Sequence, residues 1–320
     1  LYVCVPLLLL DLALPPPMSR ARETSAVVTD RRGAFLRAFP VEDGKWRMAA
    51  DVDRIDPAFI RALLAYEDRR FYSHGGVDAR AMARAAASAI SAGRIVSGGS
   101  TITMQTARLL EPRPRTLGSK VIESLRAWQL ERRFSKQEIL ALYLTLAPYG
   151  GNLEGVRAAS WAYFGREPET LSPDQIALLI ALPQSPEARR PDLRPEAAVI
   201  ARARVLRRLA GEGVFAPDLA AESAEYPAPR RQDFPSLAWH AAETARKNFE
   251  QATAAMKSMA SAKTPTELFQ LQSELARKSF DDMIAEASKA SETMLKLAGD
   301  VFQPISNRFA VAAEKMKTAA

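Results

Sequence analysis

The sequence predicts a mainly α-helical protein with a small β-containing segment near its start and a long helical tail. Three observations carry that prediction. From residue 57 to 209 apolar residues recur at helical spacing, as in Phe59, Leu63, Leu64 and again in Ile176, Leu179, Ile180. Before them, the β-like runs Ala26-Val27-Val28 and Phe35-Leu36 flank a turn at Asp30-Arg31-Arg32-Gly33. Composition then breaks near residue 245, with 30 Arg and 3 Lys before it and 3 Arg and 8 Lys from Arg246 onward. Two segments of different history explain that break better than one domain does.

Residues 1–19 open on an unbroken apolar run, Leu1 to Leu10, closed by Asp11 and by Pro15-Pro16-Pro17. A spanning helix needs about 20 apolar residues, so this stretch predicts only part of a membrane anchor; a buried core helix is the alternative. Residues 20–56 read as a β-rich linker. Residues 57–210 read as the helical domain, with Ile122, Leu125, Trp128, Leu130 and Ile139, Leu142, Leu146 as further apolar stripes. Its stops fall at Gly75-Gly76, Gly98-Gly99, Gly150-Gly151 and Pro183. Residues 211–245, with Pro227, Pro229, Arg230, Arg231 and Pro235, read as a linker.

Residues 246–320 form the tail. Thr264-Pro265-Thr266-Glu267 is a capping box with proline at the first helical position. Leu268, Leu271, Leu275, Met283, Ala287, Ala290, Met294 and Leu297 follow at helical spacing. At ~1.5 Å per residue such a helix approaches ~50 Å. Its stripe must be buried by self-association or on a hydrophobic surface.

Bulk properties narrow the chemistry. A hydrophobic fraction of 48% and a charged fraction of 25% exclude disorder of the whole chain. The net charge of +7 favours phosphates or anionic lipid as partners, unless it serves only solubility. No zinc finger, RNP or basic-zipper pattern occurs, so nucleic acid is not expected as a partner. The lone Cys4 excludes an intramolecular disulfide. With only His74 and His240, a His-rich zinc site is excluded and no metal site is expected.

Three constellations remain. In Glu67-Asp68-Arg69-Arg70-Phe71-Tyr72-Ser73-His74-Gly75-Gly76-Val77-Asp78, adjacent carboxylates near a helix end suit a general base, although such a pair is more often a solvated helix face. Gly98-Gly99-Ser100-Thr101-Ile102-Thr103-Met104-Gln105 sets hydroxyls and backbone N–H groups at a helix start, suited to an anion or to ordinary capping. Arg113-Pro114-Arg115 leads to Lys120 and Glu123, which share a helix face at i, i+3, as a site or as an exposed ion pair.

In this order the segments resemble the glycosyltransferase domain of class A penicillin-binding proteins and monofunctional peptidoglycan transglycosylases. The E-D-x-x-F-x-x-H-x-G-x-D and G-G-S-T-I-T-x-Q patterns carry the resemblance. So do Ile139 to Gly151, Ala158 to Arg166 and Leu178 to Pro183. Within the family, Met104, Ala147-Pro148-Tyr149-Gly150-Gly151 and Ser160-Trp161-Ala162-Tyr163 are most similar to the 1C branch.

The resemblance implies a lysozyme-like fold over 57–210 and inverting polymerisation of lipid II onto a growing glycan strand, with release of undecaprenyl pyrophosphate. It implies Glu67 and Glu123 as catalytic residues. Asp68, His74, Ser100, Thr101, Gln105, Arg115 and Lys120 are implied as substrate-binding. No cofactor is required by the sequence; Mg2+ or another divalent cation is the one candidate helper. The expected location is the inner membrane, in contact with its lipid, with the domain facing the periplasm.

Two positions depart from the family pattern: Ser119 stands where an Arg is usual, and Thr145 where an Asn is usual. Both leave the carboxylates in place and predict altered efficiency. No Ser-x-x-Lys, Ser-x-Asn or Lys-Thr-Gly motif occurs, so these residues carry no penicillin-reactive serine.

From about Arg246 the tail resembles phasins, which coat polyhydroxyalkanoate granules. The resemblance rests on Lys247-Asn248-Phe249-Glu250, Ala260 to Leu268 and Pro304-Ile305-Ser306-Asn307-Arg308. It implies a structural protein of cytoplasmic granules as the alternative function, binding without turnover. One anchored chain does not serve both places, so two incomplete genes joined near residue 245, genuinely or by an assembly error, are expected.

Overall fold

The computed structural model describes Asp11, residues 14–92 and residues 99–237. In the tail it describes only Arg246, Lys247, Glu250, Thr253, Ala254, Ser273, Arg277 and Ile284. The run Leu1–Leu10, Gly98 and the tail's capping box and stripe lie outside the described residues. The chain divides into two compact units, Leu1–Ala242 and Glu243–Ala320.

Within the first unit the chain opens with α1 (Ser19–Arg22), the hairpin β1 (Val27–Thr29) and β2 (Phe35–Ala38), and β3 (Trp46–Arg47). The helices α2 (Pro57–Glu67), α3 (Ala79–Ala92), α4 (Ile102–Leu110), α5 (Leu117–Arg133) and α6 (Lys136–Leu146) follow. Next come β4 (Pro148–Gly150), β5 (Leu153–Glu154), α7 (Val156–Phe164), α8 (Pro173–Ala181), α9 (Pro195–Gly211) and α10 (Pro217–Glu225). The mainly α expectation holds.

Local chemistry sets the helix starts. Asp56 caps α2 by accepting from Ala58 N, with Pro57 at the first helical position. Thr101 caps α4, Thr116 caps α5, and Ser135 with Glu138 forms a capping box for α6. In α8, Ile176 to Ala181 are all buried, as expected of a helix apolar all round. That helix and α6 form the centre of the core, against Phe59, Leu63, Phe71 and Leu130.

Helix α5 differs from its sequence reading. Ile122, Leu125 and Trp128 are only partly buried, whereas Glu123, Ala127 and Leu130 are buried. The buried set lies at i, i+4, i+7 and packs toward α4. Of the stripe read from the sequence only Leu130 reaches the core, and the core face carries a carboxylate instead.

The hairpin turn forms as read: Asp30 Oδ1 accepts from Arg32 N at 2.7 Å and Ala34 N at 2.8 Å, and Gly33 adopts φ +81°. The rest of 20–56 is tied into the helical unit. β3 pairs in parallel with β5, and β4 pairs antiparallel with β5, in the order β3-β5-β4. Beneath this sheet the buried Glu154 accepts from Arg47 Nε at 2.6 Å, Lys45 Nζ at 2.7 Å and Arg20 Nη2 at 2.5 Å.

Of the stretch 211–245, read as a linker, residues 211–237 carry α10 and an extended strap that packs on the first unit. Phe234 packs tilted on Trp46 with ring centroids 4.4 Å apart, Gln232 N donates to Ala162 O at 2.7 Å and Leu237 N to Leu36 O at 3.0 Å. Its prolines marked irregular backbone rather than separation, because aromatic burial and these bonds hold it down. Among the described residues no helix is long and apolar enough to cross a membrane.

Candidate active site

A cleft of about 880 Å³ opens where α2 ends, α4 begins and the turn after α8 returns. Glu67, the last residue of α2, lines it together with Ser100, Gln105, Arg108, Arg115 and Gln184. The Glu67 carboxylate accepts one amide hydrogen bond on each oxygen. Gln105 Nε2 donates to Oε2 at 3.0 Å and Gln184 Nε2 to Oε1 at 3.1 Å. Close by, burial and then the charge of Glu67 push the Tyr143 phenol well above its ordinary range, so it stays neutral.

Asp68 faces the other way. Its carboxylate accepts from Ile102 N at 2.9 Å and from His74 Nε2 at 3.0 Å, so it ties the end of α2 to the start of α4. Thr101 is buried; its hydroxyl accepts from Met104 N at 3.1 Å and donates to Gly76 O at 2.5 Å. Gly76 must be glycine, since at φ +92° an added Cβ would meet the Ala127 carbonyl at 2.9 Å. Asp78 accepts from Ala81 N at 3.0 Å. That bond, with the Arg70 charge against the opposing effect of burial, holds its carboxyl below the usual range.

Asp68, His74 and Thr101, read as substrate-binding, hold the framework that joins α2, α4 and the Gly75-Gly76 turn through these bonds, while His74 Nδ1 is buried without a hydrogen-bond partner. His74 does not line the cleft. Asp68 and Thr101 reach its wall with their side chains already engaged. Adjacent residues at a helix end diverge: the Glu67 carboxylate meets Gln105 and Gln184 across the cleft, while that of Asp68 turns to Ile102 and His74.

The second expected carboxylate stands behind the cleft wall. Lys120 Nζ donates to Ser100 Oγ at 2.6 Å and to Glu123 Oε2 at 3.1 Å, while Arg108 Nη1 lies 3.9 Å from Glu123 Oε1. The i, i+3 pair of the sequence is thus a buried-carboxylate clamp coupled to the cleft through Ser100. Arg115 lines the cleft from the loop before α5.

Sequence reading missed Arg84, Arg108, Gln184 and Arg208, all in the cleft wall. Arg108 was findable, since Thr101, Gln105 and Arg108 lie at i, i+4, i+7 along one face of α4. Gln184 was not, because it arrives from residue positions far along the chain. The two departures also have local partners. Thr145 Oγ1 accepts from Ala50 N at 3.0 Å and donates to Ala141 O at 2.8 Å, and Ser119 meets the capping Thr116 hydroxyl at 2.9 Å.

The chain is 46% identical over 231 residues to penicillin-binding protein 1C of Escherichia coli (strain K12), covering 71% of this chain and 30% of that protein. Penicillin-binding protein 1A of Aquifex aeolicus is 40% identical over 201 residues, covering 62% of this chain and 27% of that protein. The biosynthetic peptidoglycan transglycosylase of Acinetobacter baylyi is 39% identical over 144 residues, covering 45% of this chain and 63% of that protein. The chain thus spans about a third or less of the length of these penicillin-binding proteins. A second family, described as Phasin protein, matches residues 232–309. The family described as Transglycosylase matches residues 32–210, more than half of the sequence, and the chain belongs to it.

Proposed function

We propose that the first unit is a peptidoglycan glycosyltransferase that joins lipid II units into glycan strands. The 4-hydroxyl of one disaccharide attacks the anomeric carbon of another, with inversion, and undecaprenyl pyrophosphate leaves. The observation that carries this reading is one cleft in which the Glu67 carboxylate, held only by neutral amides, shares a wall with arginines. Family membership and the printed name of the Acinetobacter baylyi relative support it.

A sugar hydroxyl is a poor nucleophile, so a carboxylate must take its proton as the new bond forms. Glu67 is the base in this scheme, in the single-displacement logic of inverting transfer. The departing pyrophosphate gathers negative charge, which Arg115 and Arg108 in the cleft wall and Lys120 behind Ser100 offset. Glu123 fixes Lys120, and Lys120 in turn orients Ser100 toward the donor. Among the described residues no three His, Cys, Asp or Glu side chains converge as a metal-ligand set. A divalent cation would add to the charge that Arg115, Arg108 and Lys120 set against the leaving pyrophosphate.

The inner membrane, with the cleft on its periplasmic side, is where such a substrate is met. Glu67→Gln tests the reading: strand formation from lipid II should disappear while the folded structure persists. Polymer made at the unaltered rate would remove Glu67 from the reaction. For the second unit, the Phasin protein match favours a structural role on a hydrophobic granule surface or in self-association. Granule binding by residues 243–320, without turnover, would support it.

A further inference from the structure

The Glu67 carboxylate has a second amide donor whose own orientation is fixed from behind. Gln184 closes the short 3-10 turn Leu182–Gln184 that follows α8. Its Nε2 donates to Glu67 Oε1 at 3.1 Å, while its Oε1 accepts from Arg189 Nη1 at 3.0 Å. The same Arg189 nitrogen donates to Ala181 O at 2.7 Å, at the end of α8. A guanidinium only donates, so the amide must turn its oxygen to Arg189 and its nitrogen to Glu67. The chain Arg189–Gln184–Glu67 therefore has one direction.

We infer that Gln184 is a positioning residue for the base, with Arg189 setting the amide, so that Glu67 is aimed by donors from both sides of the cleft. Gln105 arrives on α4 and Gln184 from the turn after α8, one for each oxygen. Two donors on opposite sides fix the carboxylate's rotation, which a single donor leaves free. Both are neutral, so they orient the base without taking the charge it needs. This inference rests on Glu67 being the base.

The test uses purified full-length chain, lipid II in detergent micelles and rate profiles against pH. Gln184→Leu removes the donor and should lower kcat about fivefold with KM changed less than twofold, a modest loss because the bond is exposed. Gln184→Glu places a second carboxylate against Glu67, so ionising Glu67 becomes costlier. The acid limb should move up by about one pH unit, with activity recovering as pH rises. Arg189→Met frees the amide to flip and should resemble Gln184→Leu, whereas Arg189→Lys should recover most of the loss.

A uniform loss at all pH values in Gln184→Glu, or an unchanged kcat in Gln184→Leu, would overturn the inference. Glu67→Gln run alongside separates the two claims. If that variant stays active, the base assignment fails. If it is inactive while Gln184→Glu keeps the parental profile, only the positioning role fails.

Discussion

Two glutamates, one lining the cleft and one behind its wall, are held in opposite ways. Glu67, at the end of α2, accepts only from the amides of Gln105 and Gln184 and sits by the neutral phenol of Tyr143. Glu123, inside α5, is 7% exposed and bonds Lys120 directly, with Arg108 at ion-pair distance. Fixed cations and neutral donors both aim a carboxylate, but only the cations set a compensating charge against it. Environment, more than residue type, divides the two roles. Glu67 is poised to take a proton, and Glu123 is poised to hold the Lys120 cation in place.

The sharpest way to break this comparison is to neutralise each carboxylate in turn. Glu67→Gln should cost about a thousandfold or more in kcat, the range of a lost general base. Glu123→Gln should cost roughly tenfold to a hundredfold, because Lys120 loses its seat but the base stays. Lipid II polymerisation by the two purified variants gives both numbers. Equal losses would mean the two glutamates are not divided in role as the contacts imply.

Glu154 extends the comparison to a carboxylate clamped by cations away from the cleft. Burial alone pushes its carboxyl up, but hydrogen bonds from Lys45 and Arg47 and the charge of Arg20 outweigh it, so it titrates below the ordinary 4.5. A folded value below the unfolded one contributes stability above about pH 4.5, lost as pH falls through the folded value. Glu154→Gln should therefore destabilise the unit by about 3 kcal/mol near neutrality, since it leaves the buried Arg47 short of its partner. Denaturant melts at pH 7 and at progressively lower pH should show the gap from the parent closing on acidification. A gap constant with pH would mean that packing, not charge, sets the cost.

How much of this was legible in the sequence follows from the range of each interaction. The helix start at Ser100-Thr101, the Asp30–Gly33 turn and the core helix α8 depend on neighbours within a few residues, so patterns sufficed. The motif order brought Glu67, Ser100, Gln105, Arg115 and Lys120 into one neighbourhood before any coordinates. What pattern could not give was direction. Asp68, His74 and Thr101 belong to the same motifs as the cleft residues, yet spend their hydrogen bonds inward. Gln184 and the strap at Phe234 depend on contacts across 117 positions or more. Proline-rich spacing at 227–235 looked like a linker because sequence shows a broken helix but not the surface it packs on.

The smallest effect concerns Ser119, where the family pattern carries Arg, and it sharpens the picture of the cationic wall. Ser119 lies in the first turn of α5, with its N–H on the Thr116 hydroxyl at 3.1 Å. Ser119→Arg keeps that backbone bond. Successive residues on a helix diverge by about 100°, so the new guanidinium cannot take Lys120's place between Ser100 and Glu123. It adds charge at the rim instead, and a cation near a helix start costs about 0.3–1 kcal/mol of stability. KM for lipid II should fall about twofold to threefold at low ionic strength, less at high salt, with kcat within a factor of two. A tenfold rise in kcat would place position 119 in the reacting constellation and show that Lys120 and Glu123 do not complete that wall.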